Sequence, residues 1–188
     1  MKAFNLEYTQ PFINIELIQQ CHQFAETKTS SANPNYFRGG QKRSTQQIYQ
    51  DEYWGKIGEC VFQQLMKKRG ITTDIDFNIY RANQDHGDLI DTHNKKQYEI
   101  KTSTHKANNY LLTMDQYGQD TLPDIDFHGF VRYIVVDGVI RCDAGIITRH
   151  TFEREHEKIR AGQCIPHTGT PLKVDNWCVG LRYFEPLI

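Results

Sequence analysis

The chain has 188 residues, which suits one domain over residues 1–188 with a real hydrophobic core. Hydrophobic residues make up 38% and charged residues 24%, so the composition excludes a disordered chain, and no apolar run is long enough to span a membrane. The formal net charge of -1 shows that the chain is not basic as a whole, so any contact with nucleic acid must depend on local basic clusters.

The cysteines and the first residues predict a cytoplasmic location. The cysteines are scattered along the chain: Cys21, Cys60, Cys142, Cys164 and Cys178. An odd count without a CxxC pair argues against a disulfide framework and a zinc ribbon. Cys164 and His167 have ligand-like spacing, but no second pair accompanies them, so we treat the spacing as incidental. The first ten residues lack the apolar stretch of a signal peptide, and we expect reduced thiols.

The N-terminal part of the chain predicts two helices separated by a loop. Apolar residues near helical spacing predict a helix over 12–28, and a stretch rich in Ser, Asn, Pro and Gly predicts a long loop over 29–44. Residues 45–69 predict the longest helix, with Thr45 as its N-cap and Gly70 just beyond its end.

Two glycines, Gly55 and Gly58, lie one turn apart inside this long helix. A glycine in a helix interior costs about 1 kcal/mol relative to alanine. The close approach of another backbone is the usual compensation, and we expect it here.

The rest of the chain predicts a sheet and one further helix. Alternating or continuous apolar runs predict strands over 74–80, 88–91, 96–103, 129–136, 139–147 and 174–184. Turn-forming residues 92–95 predict a hairpin between the second and third of these strands. Residues 149–161 predict a surface helix, and residues 104–128 are ambiguous. The order predicts an α/β fold in which helices flank a mixed sheet, with a core of about 45–147 preceded by the helix and loop of 1–44.

The predicted hairpin carries the clearest chemical signal. Side chains two residues apart on a strand share a face, so Glu99 and Lys101 project together, opposite Ile100. The partner strand brings Asp88 alongside. A carboxylate and an ammonium on a strand that faces the core are costly unless something uses them. Two carboxylates and a main-chain carbonyl suit Mg²⁺, and a lysine beside them orients or deprotonates a water, or stabilises charge on a phosphate.

These residues resemble the PD-(D/E)xK nuclease superfamily, which includes many restriction endonucleases, Holliday-junction resolvases and repair nucleases. The family pattern is an Asp on one strand of a hairpin and (Asp/Glu)-x-Lys on the next, which Asp88, Glu99 and Lys101 match. Many members add a Glu on the preceding helix, where this chain has Glu59. The resemblance covers residues 55–103 and implies a restriction-endonuclease-like fold, with a mixed core sheet between helices.

The resemblance also implies a role for each residue. Asp88 and Glu99 would bind Mg²⁺, for which Mn²⁺ would substitute, and the carbonyl of Ile100 would complete the inner shell. Lys101 would act on the attacking water, and Glu59 would contact the metal directly or through water. The glycines before Glu59 then have a rationale, because the helix must approach the hairpin closely.

The position of the first Asp has rivals. Gly87 stands where the family often has Pro, a departure that many members share. Asp85 and Asp91 compete with Asp88 for the role, but Asp91 is near the turn. Asp85 shares a polar loop with His86, a lone loop histidine of the kind that usually is not a ligand.

Basic residues near these motifs are candidate contacts to nucleic acid: Arg38, Lys42 and Arg43 in the long loop, and His105 and Lys106 after the active strand. Solvated surface charge is the competing interpretation for each of them. Gln116 is a weaker candidate beside the site. We expect Trp54 and Trp177 in the core rather than on a base-stacking surface.

The site residues predict metal-dependent cleavage of phosphodiester bonds, and the resemblance implies a Mg²⁺-dependent endonuclease that acts on DNA and belongs to restriction or defence. Cutting both strands of a duplex usually needs two copies related by a two-fold axis, so we expect a homodimer. A recombination or repair nuclease and an RNA substrate stay open. A nucleic-acid-binding module that does not cut is the alternative of another class, and the complete acidic and lysine set argues against it.

Overall fold

A computed structural model of the chain describes residues 6–7, 13–31, 37–38, 41–79, 87–103, 109–113, 124–136, 139–165 and 171–187. All of the cysteines lie within these ranges, and each is a free thiol. No helix in the described ranges combines the length and apolar character that a membrane crossing requires.

The described residues form three α-helices: α1 (Ile15–Ser31), α2 (Thr45–Lys68) and α3 (Arg149–Glu155). Helix α1 begins and ends three residues later than the helix predicted over 12–28. The long helix is confirmed, but its N-cap is Ser44 rather than Thr45. The Ser44 hydroxyl accepts the N–H of Gln47, and the Gln47 side chain accepts the N–H of Ser44, which completes a capping box. Gly70 follows the helix with a φ of 79°, a conformation that glycine adopts without strain.

The described strands are, in chain order, β1 (Leu6–Glu7), β2 (Phe37–Arg38), β3 (Gln41–Lys42), β4 (Thr73–Ile75), β5 (Leu89–Asp91), β6 (Gln97–Ser103), β7 (Asn109–Thr113), β8 (Phe127–Val136), β9 (Val139–Thr148), β10 (Glu157–Ile159), β11 (Asn176–Gly180) and β12 (Glu185–Pro186). The main sheet has the order β1-β9-β8-β6-β5-β4, and β12 also pairs with β9. Strands β6 and β8 run parallel, while their neighbours pair antiparallel, so the sheet is mixed as expected. Strands β10, β11 and β7 form a second sheet.

Several predicted elements are shorter than their sequence patterns. The strand predicted over 74–80 covers only β4, because its partner β5 offers three residues to pair with. The helix predicted over 149–161 ends at Glu155, and the chain then pairs with β11 as β10. The strand predicted over 174–184 is β11, followed by a 3₁₀ turn at Leu181–Tyr183. The ambiguous stretch contains β7, and the predicted loop contains the β2–β3 hairpin.

Among the described residues, two hydrophobic clusters lie in the core. In the first, Phe62 and Leu65 of α2 pack with Tyr98 and Ile100 of β6 and with Val131 of β8. The second joins the small sheet to α3. Its members are Tyr110, Leu112, Phe130, Ile147, Phe152, Trp177, Val179 and Phe184. The chain is therefore a mixed α/β structure in which helices flank a multi-stranded mixed sheet.

The two tryptophans differ in environment. Trp177 is fully buried, which confirms the expectation for this residue. The expectation was wrong for Trp54, which is 40% exposed and lies beside Tyr53 and Tyr133. Trp54 lies in the first half of α2, just before the run of buried residues that begins at Lys56.

Candidate active site

The β5–β6 hairpin fixes Asp88 directly before the first residue of β5. Leu89 pairs with Tyr98 in the antiparallel register, and Asp88 precedes this pair. The Asp88 N–H donates to the Tyr98 carbonyl at 2.8 Å, and its Oδ2 accepts the N–H of Ile100 at 2.6 Å. Backbone pairing therefore orients this carboxylate, which is the first acidic residue of the predicted site.

Glu99 and Lys101 form a partly buried ion pair on β6. The Lys101 Nζ donates to Oε1 of Glu99, as the alternation of the strand predicts. Glu99 is 3% exposed, whereas the Lys101 side chain is 29% exposed, so the ammonium lies between the interior and solvent. A buried carboxylate with a lysine at the solvent boundary is not an ordinary surface ion pair.

Asp91, a rival for the first acidic position, has a local structural role. Its Oδ1 accepts the N–H groups of His93 and Asn94 at 2.8 and 3.2 Å, which closes the hairpin turn. These hydrogen bonds, with the one from His93 first, lower the pKa of Asp91. The competing positions Asp85 and His86 lie outside the described residues.

Helix α2 comes very close to β6 at Gly58. A Cβ at that position would overlap Oγ1 of Thr102 and lie 2.9 Å from its Cβ. A close approach is therefore found at Gly58, but the atoms that it meets belong to the Thr102 side chain rather than to another backbone. Gly55 differs, because a Cβ there would have no neighbour within 4 Å, although its carbonyl accepts the Thr102 hydroxyl at 3.4 Å.

Glu59 follows this contact and is buried, but it is held by a lysine that the sequence did not single out. Lys56 Nζ donates to Glu59 Oε2 at 2.6 Å and to the Asp76 carbonyl at 2.7 Å. Both members of the pair are 6% exposed. A Lys-x-x-Glu spacing usually indicates a solvated helix face. The one sequence feature that favours a buried pair here is that Lys56 and Glu59 lie beside apolar positions of α2.

The carboxyl groups of the site repel one another in a buried setting. Burial, followed by the charge of Glu99, raises the pKa of Asp88 to about 7, against the opposing effects of Lys101 and Lys56. Burial and then Asp88 raise the pKa of Glu59 well above its ordinary value, although Lys56 opposes the shift. Burial tends to lower the pKa of Lys56, but Glu59, Asp88 and Asp76 outweigh it and the pKa is raised. The cluster therefore has a deficit of positive charge.

A divalent cation fits this charge deficit and these donors. In the part of the chain that the structure describes, no three His, Cys, Asp or Glu side chains are grouped closely enough to hold a metal ion. The donor set that would hold a cation is the one expected from the hairpin, namely the carboxylates of Asp88 and Glu99 and the carbonyl of Ile100. Carboxylate and carbonyl oxygens are the donors that Mg²⁺ prefers. Glu59, whose Oε2 is hydrogen-bonded to Lys56, is not grouped with them as a third side-chain donor.

The structure adds a histidine and a tyrosine that sequence reasoning missed. His128 pairs with Glu99 in the parallel β6–β8 register, and its Nδ1 lies 3.2 Å from the Tyr110 hydroxyl. Its ring stacks on Phe152 at a centroid distance of 4.2 Å. Burial, followed by the charge of Lys101, lowers the pKa of His128 to about 3, so its imidazole is neutral. A histidine near the start of the largely apolar run of β8 was the available signal.

The candidate nucleic-acid contacts are only partly described. Arg43 forms an ion pair with Asp51 of α2. The backbones of Arg38 and Lys42 belong to the β2–β3 hairpin, but their side chains are not among those described. Three further candidates, His105, Lys106 and Gln116, lie outside the described residues, as does His167.

Comparison with known proteins adds no relative for this chain. No family model matches the sequence, and a search of curated proteins finds no match either. The chemistry of the Asp88, Glu99 and Lys101 site and the motif resemblance are therefore the grounds on which a function is assigned below.

Proposed function

We propose that the chain is a divalent-metal-dependent endonuclease of PD-(D/E)xK type that hydrolyses DNA phosphodiester bonds. The observation that carries the proposal is the hydrogen bond that holds the Asp88 carboxylate to the N–H of Ile100, next to Glu99, whose carboxylate binds the Lys101 ammonium at the solvent boundary. The element order supports a restriction-endonuclease-like core, because α2 precedes the β5–β6 hairpin and β6 runs parallel to β8.

Each residue has a defined part in this proposal. Asp88, Glu99 and the Ile100 carbonyl would hold Mg²⁺, which when bound supplies Lewis-acid stabilisation of charge on the phosphate and the leaving oxygen. The Ile100 N–H keeps Asp88 oriented through the 2.6 Å hydrogen bond. Lys101 reaches the solvent boundary, where its ammonium orients a water or stabilises charge that develops on the phosphate. We assign the chain to restriction or defence and expect it to act as a homodimer on duplex DNA.

The test compares the wild-type protein with Lys101→Ala on plasmid, linear and branched DNA and on RNA, with Mg²⁺, Mn²⁺ or EDTA. We expect metal-dependent cleavage of duplex DNA by the wild type, and a rate at least about 100-fold lower for Lys101→Ala, because a positioned proton-transfer or charge-stabilising group contributes that much. Binding of DNA should change little. Lys96→Ala, an exposed lysine at the start of the same hairpin arm, is the matched control.

Three results would contradict parts of the proposal. If the wild type binds DNA but leaves it intact with either metal, the enzyme assignment fails and a non-cutting binding module replaces it. Cleavage of branched DNA alone contradicts the restriction assignment, and cleavage of RNA alone contradicts the substrate.

A further inference from the structure

Lys56 places an ammonium group inside the protein, bonded to Glu59. Its Nζ donates to Glu59 Oε2 at 2.6 Å and to the carbonyl of Asp76 at 2.7 Å. The rings of Phe24 and Phe77 lie 4.6 and 5.6 Å from the same nitrogen. Two hydrogen bonds and two aromatic rings fix this charge in one place.

The surroundings of Lys56 are those of the site. The N–H of Asp76 donates to the Asp88 carbonyl at 3.3 Å, so the segment that binds the ammonium also borders Asp88. The charge of Asp88 acts on Lys56 directly. An ammonium loses several kcal/mol of hydration when it is buried, and a helix ion pair on a solvated face avoids that loss. Burial of the pair beside a second carboxylate, that of Asp88, therefore needs a reason beyond helix stability.

The charges of the site give that reason. The carboxylates of Glu59, Asp88 and Glu99 face the ammonium groups of Lys56 and Lys101, and the charge of Asp76 also acts on Lys56, so negative groups outnumber positive ones when all are ionised. A divalent cation offsets that excess. Without the Lys56 ammonium, Oε2 of Glu59 would lose the hydrogen bond that holds it and would be free to bind the ion held by Asp88 and Glu99.

We propose that Lys56 is a positioning residue that supplies a fixed cation to the Glu59 side of the site. It keeps the Glu59 carboxylate away from the ion held by Asp88 and Glu99, and the site therefore takes one divalent cation per chain. This inference rests on the proposed function, since it concerns the metal of the same site.

The inference predicts the direction of an affinity change. Lys56→Met removes the charge but leaves a flexible side chain of similar length between the two phenyl rings. The released Glu59 carboxylate should make Mn²⁺ bind about tenfold more tightly, which corresponds to about 1.4 kcal/mol. A purely structural role predicts unchanged or weaker binding, because loss of packing would loosen the site.

The experiment is isothermal titration of the full chain with Mn²⁺ at pH 8. We expect about one Mn²⁺ per wild-type chain, tighter binding for Lys56→Met, and wild-type affinity for Lys56→Arg, which keeps the charge. Lys67→Met, an exposed lysine near the end of the same helix, should leave the affinity unchanged. Circular dichroism checks that each variant is folded.

A double variant, Lys56→Met with Glu59→Gln, tests the same inference if Lys56→Met alone does not fold. It removes one charge of each sign, so wild-type affinity for Mn²⁺ supports the inference. Clearly weaker binding by the double variant would mean that Glu59 is a direct ligand and would overturn it.

The remaining outcomes separate this inference from the proposed function. Two Mn²⁺ ions on the wild type, or no tighter binding by folded Lys56→Met, overturns the inference while metal-dependent cleavage still supports the nuclease. A wild-type chain that binds no Mn²⁺ overturns both.

Discussion

At the residue scale, Asp88 links the site to the stability of the fold. Its pKa is raised to about 7 in the folded chain because of burial and the charge of Glu99, whereas an unfolded Asp titrates near its ordinary value of 3.8. Between pH 3.8 and about pH 7, Asp88 is therefore protonated in the folded state but ionised in the unfolded state. The stability that the protonated carboxyl contributes is complete below about 3.8 and is lost as the pH rises through about 7.

The substitution Asp88→Asn should therefore stabilise the metal-free protein at pH 8. Asparagine keeps an oxygen for the Ile100 N–H but carries no charge. We expect the free energy of unfolding to rise by about 1–3 kcal/mol. Urea unfolding in EDTA measures the change, and the same variant should lose cleavage. The gain in the free energy of unfolding should be smaller at pH 4.5 than at pH 8. Equal destabilisation by Asp88→Asn at both pH values would contradict the assignment of charge repulsion.

The residues of the site differed in how far the sequence could predict them. Asp88, Glu99 and Lys101 lie within one hairpin, so strand alternation and the motif were enough to bring them together. Lys56 and His128 were missed, because their approach depends on the packing of α2 and on the parallel pairing of β6 with β8. Residues far apart in sequence meet only through such contacts.

At the element scale, Gly55 and Gly58 of α2 allow the effect of helix propensity on stability to be measured separately from the effect of close packing. Gly58→Ala should destabilise the protein by about 1–3 kcal/mol, because the new methyl group overlaps Thr102 and the helix must move away from β6. Gly55→Ala is the matched variant, and it should stabilise the protein by about 0.5–1 kcal/mol because its methyl group meets nothing within 4 Å. Thermal and urea unfolding measure both, and the same sign for the two variants would refute this contact.

The start of α2 gives a second matched pair. Ser44→Ala removes the acceptor for the Gln47 N–H and should lower the free energy of unfolding by about 1 kcal/mol. Thr45→Ala should change it by less than about 0.5 kcal/mol, since Thr45 is already inside the helix and is exposed. Urea unfolding distinguishes the two variants. A larger loss of stability for Thr45→Ala than for Ser44→Ala would indicate that Thr45 is the N-cap.

Element boundaries were harder to predict than element types. The long helix and the β5–β6 hairpin follow from local patterns, namely apolar periodicity and turn-forming residues. The strand predicted over 74–80 is shorter in the structure because β5 limits its pairing. The chain after Glu155 leaves the helical conformation and forms β10 because it pairs with β11. A strand ends where its neighbour ends, and the neighbour is a tertiary feature.

At the scale of the whole molecule, the proposed cation should couple stability to pH. Mn²⁺ and protons compete for Asp88, so added Mn²⁺ should raise the melting temperature more at pH 8 than at pH 5.5. At a free concentration about 100-fold above its Kd, a ligand adds about 2.7 kcal/mol of stability. Thermal unfolding with Mn²⁺ or EDTA measures the effect. Asp88→Asn should abolish most of it, and equal stabilisation of that variant would place the ion elsewhere.

The sequence alone determined the α/β class, the long helix and the acidic–lysine hairpin, because each depends on neighbours within a few tens of residues. Tertiary structure decided which polar groups share the buried site. It brought α2 against β6 at Gly58, and with it the Lys56–Glu59 pair, while the parallel pairing of β6 and β8 placed His128 beside Glu99. The Gly58–Thr102 and Glu99–His128 contacts join residues 44 and 29 positions apart, and the Lys56–Glu59 pair lies on a helix face whose burial only packing reveals. Burial is what turns the charges of these groups into raised or lowered pKa values.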